Sequence, residues 1–358
     1  MKAIIPTGGR GTRMRPLTFS ANKHFIPVAN KPLIFYPIET VANVGIKEIG
    51  ITYNTGGLEE VRSLLGDGSR WGLKFSYVLQ EKPAGLANIV QVCEDFIAGE
   101  SFVFHLGDNI FVDGIKSEMD YFNSKKPNGL VTMLHHLENR RMGVPYFDEK
   151  GRLLKYVEKP ENPPHDFAIP GLYFADANFF NCFKGANRIK PSARGEYEIP
   201  DAFQWMIDQK LRVDVIEYKG VWLDPGKFDD WLEANRFLLD KELKEKMESV
   251  LGEGSTLEGK VSIGKNCKII NSKIKGPVII GDNVALEGSV INPHASVSDN
   301  CIIRNSSVSD CVILSGVKIE NIKRPIESSL IGKDTEIVSY SDQDPIKLFI
   351  GELCKVEI

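Results

Sequence analysis

Long apolar runs are missing from this sequence: nowhere in its 358 residues does a hydrophobic stretch approach the ~18 residues that a membrane-spanning helix requires. Neither sign of charge is in excess. Lysine and arginine number 44 against 48 aspartates and glutamates, a formal net charge of −4, so the basic field that a nucleic-acid backbone demands is absent. Cysteine is sparse: Cys93, Cys182, Cys267, Cys301, Cys311 and Cys354 are scattered without a CxxC pair, which argues against a disulfide framework or a zinc knuckle. The opening Met1-Lys2-Ala3-Ile4-Ile5 runs directly into a strand rather than a signal peptide. Histidines are equally unpromising as a cluster. His135 and His136 are adjacent and so point to opposite sides of a strand, while His24, His105, His165 and His294 stand alone, a spacing that suits neither a zinc site nor a catalytic triad. These absences predict a soluble, cytoplasmic chain with reduced, metal-free cysteines and with neither a membrane nor a nucleic acid as partner.

What is present begins with length, which exceeds the ~100 to 200 residues of one domain and predicts two. From Met1 to about Asp240, short apolar runs alternate with amphipathic stretches, the pattern of an α/β domain with a doubly wound, Rossmann-like mixed sheet. Strands are expected at Ala3 to Pro6, Ile49 to Tyr53, Phe75 to Leu79 and Phe102 to Leu106, and helices at Pro37 to Val44, Leu58 to Leu65 and Leu86 to Phe96. The first domain is placed at 1–240. Apolar positions at Leu232, Leu239, Leu243, Met247 and Val250 predict a helix from Phe228 to Leu251, whose end, 241–252, links the domains. In 253–358, aliphatics recur every six residues, as from Ile280 to Leu286, Val297 to Ile303 and Ile302 to Val308 to Leu314. That period predicts a left-handed parallel β-helix of hexapeptide repeats with a C-terminal tail; a plain β-sandwich is the alternative. The register slips near Lys275 to Pro277 and Asn321 to Pro325, so few, interrupted coils are expected.

The first strand empties into Gly8, Gly9, Arg10, Gly11, Thr12 and Arg13. Glycines so spaced let backbone N–H groups approach phosphate oxygens, and arginines at 10, 13 and 15 add charge that forks onto them. Two absences argue against a dinucleotide fold: Met14 stands where GxGxxG needs its third glycine, and no acid follows about 20 residues on. The Walker A pattern is missing too.

The stretch GGRGTRMRPLTFSANKHFIPVANKP resembles the GGxGTRLxPLT…K…PV…KP opening of the sugar-1-phosphate nucleotidylyltransferases, enzymes of the nucleotide-diphospho-sugar transferase fold. VLQEKPAGLA, HLGDNIF, VEKP, GLYF, PSARGEYEIPD and WLDPG follow in the family's order, so the likeness covers essentially the whole first domain. The VANKP segment, the hexapeptide tail and the closing GELCKVEI resemble the long form of those members that join dTTP to glucose 1-phosphate. The resemblance implies that Gly8, Gly9, Gly11, Thr12 and Arg13 cradle the triphosphate, with Lys23 adding a cation. It implies that Asn109, Gly143, Glu158, Lys159 and Arg194 meet the sugar phosphate, and that Gly85 lets the base lie against backbone. Pro6-Thr7 replaces the usual Leu-Ala, and Met142 to Tyr146 departs from the family around Gly143. Asn22 and His24 change no assigned role.

The residues themselves support parts of this. Asp108 follows the apolar run Phe102 to Leu106, where open α/β sheets bind ligands, and Asp224 in Trp222-Leu223-Asp224-Pro225-Gly226 also ends a short strand. Two carboxylates in one sheet suit Mg²⁺, which takes one or two carboxylates, waters and phosphate oxygens. Lys159 suits a point charge on a sugar phosphate, and Gln80 offers the donor and acceptor that match the imide edge of thymine or uracil. Each has a plainer alternative: turn aspartates, a solvated lysine, an exposed glutamine, a loop ion pair for Arg194. The reading is Mg²⁺-dependent in-line transfer from dTTP or UTP to a hexose 1-phosphate, with Arg13, Lys23 and Lys159 as catalytic cations in a homo-oligomer. A uridylyltransferase, a bifunctional acetyltransferase and a regulatory nucleotide-sugar-binding subunit are the rivals.

Overall fold

The computed structural model of the chain describes residues 1–9 and 11–340. Arg10, Cys354 and the C-terminal tail with its closing GELCKVEI lie outside the described residues. The chain divides into two compact units, one of Met1–Arg10 with Ile34–Leu223, the other of Gly11–Leu33 with Asp224–Ile358. Contacts thus divide the chain at 223, where the sequence reading expects a boundary at 240, and the second unit includes the 23 residues Gly11–Leu33 that the sequence reading assigns to the first domain.

The first unit is built on an eight-stranded sheet in the order Phe167–Ala168, Gly129–His135, Leu172–Ala175, Phe102–His105, Lys2–Pro6, Glu48–Asn54 and Lys74–Gln80, with Val213–Glu217 also paired to Gly129–His135. The strands from Phe102 to Lys74 run parallel, while Leu172–Ala175 runs antiparallel to both its neighbours, so the sheet is mixed as expected. Ala3, Ile4 and Ile5 of the first strand are wholly buried, which is why a continuous apolar run rather than an alternating one encodes it. The expected helices stand at Phe35–Asn43 and Leu58–Leu65. The third breaks into Leu86–Gln91 and Glu94–Ile97. Phe102, Tyr173, Phe179 and Phe203 stack or meet edge to face in the core against the sheet.

In the second unit the helix after Asp224 ends early. It spans Phe228–Lys241, not Phe228 to Leu251, because Lys246–Met247 pairs in parallel with Ser262 and Ile263. The 241–252 link is thus strand and turn, and two of the apolar positions read as helical, Met247 and Val250, are 49% and 89% exposed.

From Thr256 onward, three-residue strands pair in parallel with partners about one coil away. Val261, Lys268 and Lys273 lie opposite Val278, Ala285 and Val290, each 17 residues on. Inward residues form three columns: Ile274, Ile291 and Val308; Ile263, Ile280, Val297 and Ile313; Ile269, Leu286, Ile303 and Ile319, each at most 1% exposed. Along the chain their spacing runs six, six, five as far as Val308 and is five again from Val308 to Ile313, so the sixfold period is real but one residue short per 17-residue advance. The missing residue falls at the corner of Asn271, Gly288 and Asn305, all at positive φ, where asparagine and glycine are least penalised. Burying each aliphatic contributes ~1.5 to 3 kcal/mol. The interruption expected at Lys275 to Pro277 does not occur, since the 17-residue register passes through it. One near Asn321 does: Lys318 pairs Ile302 after 16 residues and Glu336 after 18.

Candidate functional site

In the first unit the glycines expected to meet phosphate have packing reasons as well as conformational ones. A β-carbon on Gly8 would lie 2.8 Å from Asn54 Oδ1, an oxygen that is buried without a hydrogen-bond partner. Gly9 sits at φ 139. Thr7 anchors the turn, its N–H and hydroxyl both donating to the Thr52 carbonyl at 2.9 and 2.7 Å, which accounts for the threonine that departs from the family's alanine.

Gln80 ends the edge strand opposite Asn54 and is 3% exposed, so the plain reading as a surface glutamine is wrong. Its Nε2 donates to Asn88 Oδ1 at 3.0 Å, and Asn88 in turn donates to Gln91 Oε1 at 3.1 Å. That chain fixes which way the Gln80 amide faces. At Gly85, φ 97 and the Tyr197 carbonyl 2.5 Å from any added β-carbon both exclude a side chain.

Asp108 lies in a turn between Phe102–His105 and the two-residue strand Ile110–Phe111. Its Oδ1 accepts from Asn109 Nδ2 at 3.0 Å, while Asn109 Oδ1 accepts from the Trp222 indole at 2.7 Å. Trp222–Leu223 pairs antiparallel with Ile110–Phe111 outside the main sheet, so the expectation that both aspartates end strands of one sheet is corrected. Nearby His105 is fully buried; burial lowers its pKa to about 4, which keeps it neutral.

Three of the five residues expected to meet a sugar phosphate come together. Glu158, Lys159 and Arg194 line an open cavity of about 560 Å³ with Ser192, Glu198 and Asp201. Lys159 holds φ 49, uncommon for a residue other than glycine and of the kind concentrated at functional sites. Its N–H donates to the Met142 carbonyl at 2.9 Å and its Nζ lies 3.2 Å from Glu158 Oε1. Arg194 donates to Glu198 Oε1 at 2.8 Å, an oxygen that also accepts from Ser192; the loop ion pair weighed as the plain alternative is thus present. Asn109 is not among the lining residues. Gly143 stands behind the cavity wall, packed on Tyr156.

In the second unit Gly11, at φ 54, packs on Thr18, whose hydroxyl donates to the Gly11 carbonyl at 2.6 Å. Met14 is fully buried, so the residue that breaks the dinucleotide pattern is a core anchor. Lys23 is 9% exposed in a short helix capped by Asn22, whose Oδ1 accepts from His24 N–H at 3.0 Å. A β-carbon on Gly226 would lie 3.4 Å from Arg13 Nη1 and 3.6 Å from Asp224 Oδ2, so the proposed phosphate cation and the proposed metal carboxylate converge on one glycine. Among the described residues no group of three or more His, Cys, Asp or Glu could hold a metal by itself. Sequence reasoning missed Asn54, Asn88, Trp222 and Glu198 as partners. Trp222 and Glu198 were inside the quoted motifs, but nothing in a motif says which neighbour a side chain holds.

The family profile described as "Nucleotidyl transferase" matches residues 2–241. The chain belongs to that family. Along its whole length this nucleotidyl transferase is similar to a glucose-1-phosphate thymidylyltransferase of Streptomyces griseus, 36% identical over 100% of this chain and 99% of the relative. One of Streptomyces antibioticus matches to the same extent. A crystal structure of a Bacillus anthracis protein assigned as a glucose-1-phosphate thymidylyltransferase, in complex with a sucrose, is 32% identical with a TM-score of 0.62, over 69% of this transferase and 98% of that chain. A UDP-glucose pyrophosphorylase complexed with UDP-glucose, 24% identical with a TM-score of 0.58, shares the fold. No helix among the described residues is long and apolar enough to cross a membrane.

Proposed function

We propose that this transferase moves a thymidylyl group from dTTP to glucose 1-phosphate, giving dTDP-glucose and pyrophosphate. The observation that carries the reading is the meeting of Glu158, Lys159 and Arg194 at one cavity, in a chain 36% identical from end to end to glucose-1-phosphate thymidylyltransferases. A phosphate oxygen of the hexose 1-phosphate attacks the α-phosphorus, and the bond from that phosphorus to the bridging oxygen of pyrophosphate breaks. The attacking oxygen already carries charge, so no general base is needed. Catalysis rests on positioning and on neutralising charge. Lys159 and Arg194 hold the sugar phosphate, Glu158 accepts from sugar hydroxyls, and Arg13 with Lys23 stabilises the leaving pyrophosphate. Gln80 presents its amide to the base. UTP shares the imide edge of dTTP, and a single methyl is worth only ~1 to 3 kcal/mol, so some use of UTP is expected.

Asp108 and Asp224 are the carboxylates we assign to Mg²⁺. Carboxylate oxygens are the donors that ion prefers, and when bound it neutralises charge on the reacting phosphates. The C-terminal strands read best as a left-handed β-helix, supported by the three inward columns, and as the part that assembles a homo-oligomer. An acyltransferase role is disfavoured. His294, the only histidine of that region, is a corner residue at φ 65 with its Nε2 3.0 Å from Asp240 Oδ1. Phosphorylated substrates do not cross membranes unaided, which supports the reading of a cytoplasmic reaction.

The test is a matrix of nucleoside triphosphates against sugar 1-phosphates with pyrophosphate release measured. The reading expects dTTP with glucose 1-phosphate to give the highest kcat/KM; turnover only with a purine nucleotide, or with no sugar phosphate, would overturn it.

A further inference from the structure

The segment Gly11–Leu33 carries Arg13 and Lys23, yet it folds with Asp224–Ile358. What holds it there is specific. Pro27–Val28 and Lys31–Pro32 form a hairpin whose turn residues, Ala29 and Asn30, sit at φ 49 and 58. Two left-handed residues make the tight hairpin turn, but alanine is a poor choice for it, since its β-carbon opposes that conformation. Something must therefore hold Ala29.

That group is Asn235. Fully buried on the Phe228–Lys241 helix, it accepts the Ala29 N–H at 3.0 Å and the Ser296 hydroxyl at 2.7 Å, and donates to the His294 carbonyl at 2.9 Å. One turn earlier on the helix, Trp231 donates its indole N–H to the Pro27 carbonyl at 2.9 Å. Asn30 completes the joint: its Nδ2 donates to the Val297 carbonyl at 2.7 Å, and its Oδ1 accepts from Ser298 at 3.1 Å. The segment touches the stacked strands a second time at Leu17, whose Cδ2 occupies the space a β-carbon on Gly332 would need, 3.0 Å away. Leu17 falls between Arg13 and Lys23, and the hairpin follows Lys23, so both cations lie on chain tethered to the C-terminal strands.

We infer that Asn235 is a positioning residue: by tying the Ala29–Asn30 turn to the stacked strands it sets where Arg13 and Lys23 stand, so that the C-terminal region takes part in nucleotide binding as well as in assembly. This rests on the reading that those two cations act on the triphosphate. A buried asparagine with three hydrogen-bond partners is costly to place in a helix for stability alone, because leaving any of those partners unpaired carries a penalty. Three elements are instead fixed by one side chain.

The experiment uses the full-length chain, with Asn235→Ala, Asn30→Ala, Asn235→Asp and, as reference, Arg13→Ala. For each, kcat and KM are measured for dTTP and for glucose 1-phosphate, alongside Tm. Asn235→Ala and Asn30→Ala are expected to lower kcat/KM for dTTP by about 10- to 100-fold, the effect of misplacing a binding group by around an ångström. KM for glucose 1-phosphate should stay within about twofold of the parent. Asn235→Asp, which keeps the acceptor for Ala29, should recover part of the loss. Asn30→Ala leaves the buried helix face intact and remains readable should Asn235→Ala fail to fold. Wild-type kinetics in Asn30→Ala, or losses shared equally by the two substrates, would overturn the inference while an impaired Arg13→Ala leaves the assignment of Arg13 standing. Wild-type nucleotide kinetics in Arg13→Ala would remove that assignment and the inference with it.

Discussion

Tyr156 closes on Gly143 so tightly that a β-carbon on the glycine would lie 2.1 Å from the ring at Cε2 and 2.4 Å from its hydroxyl. The same hydroxyl is locked to that of Tyr173 at 2.9 Å, so Tyr156 cannot yield by a simple ring rotation. Gly143→Ala should destabilise the chain by about 1 to 3 kcal/mol, the usual cost of overpacking, and should raise KM for the sugar phosphate because Tyr156 lines the same cavity as Lys159. Thermal unfolding with steady-state kinetics checks both; an unchanged Tm would show that the wall adapts.

Lys159 is half exposed beside Glu158, so its charge is accessible to a ligand. Lys159→Ala is expected to raise KM for glucose 1-phosphate by roughly tenfold or more with little change in KM for dTTP. The two KM values, measured with the other substrate saturating, decide it. A matching rise for dTTP would move Lys159 to the nucleotide.

Asp108→Asn and Asp224→Asn preserve shape while removing charge. Each should lower kcat by on the order of 100-fold or more, the scale seen when one electrostatic stabiliser is lost, with far-ultraviolet circular dichroism unchanged. Mg²⁺ titration by calorimetry in the presence of a non-hydrolysable triphosphate should show weaker binding in both. Parental kcat in either variant at saturating Mg²⁺ would exclude that residue as a ligand.

Much of this was legible because it was local. The buried run Ala3 to Ile5, the glycines after it and the sixfold aliphatic spacing each follow from the geometry of one element, and a sequence states them directly. Other features were not. Which group satisfies the buried Gln80 amide depends on Asn88; whether the helix continues past Lys241 depends on a strand partner at Ser262; and the Ala29–Asn30 turn of Gly11–Leu33 is held by Asn235, over 200 positions away. Periodicity reports which face of an element is apolar, not which other element covers it.

Asp310 supplies a pH dependence. Burial pushes its carboxyl up, but hydrogen bonds from Arg236 and Ser328 outweigh that and hold it below the usual aspartate range, with Arg236 bound through two nitrogens at 2.6 and 2.8 Å. A lowered folded-state pKa contributes stability that is fully present above the unfolded value near ~3.9 and is lost as pH falls through the folded one. Asp310→Asn should therefore cost about 1 kcal/mol at pH 7, given the partly exposed arginine, and progressively less toward pH 3. Urea midpoints at the two pH values test the sign. A deficit that grows on acidification would contradict it.

The 17-residue advance of the C-terminal strands also bears on how such a chain can change its length. Deleting six residues, one repeat as the sequence is written, would carry every later strand onto the wrong wall and turn its aliphatics out of their columns. Deleting or duplicating seventeen would leave each Ile, Val and Leu above its predecessor and each left-handed corner above another. The 16-residue step that begins at Val312 and the 18-residue step that follows past Asn321 mark where a miscount has already been absorbed, one short step followed by one long. The unit by which these strands can be lost or gained is the whole 17-residue advance.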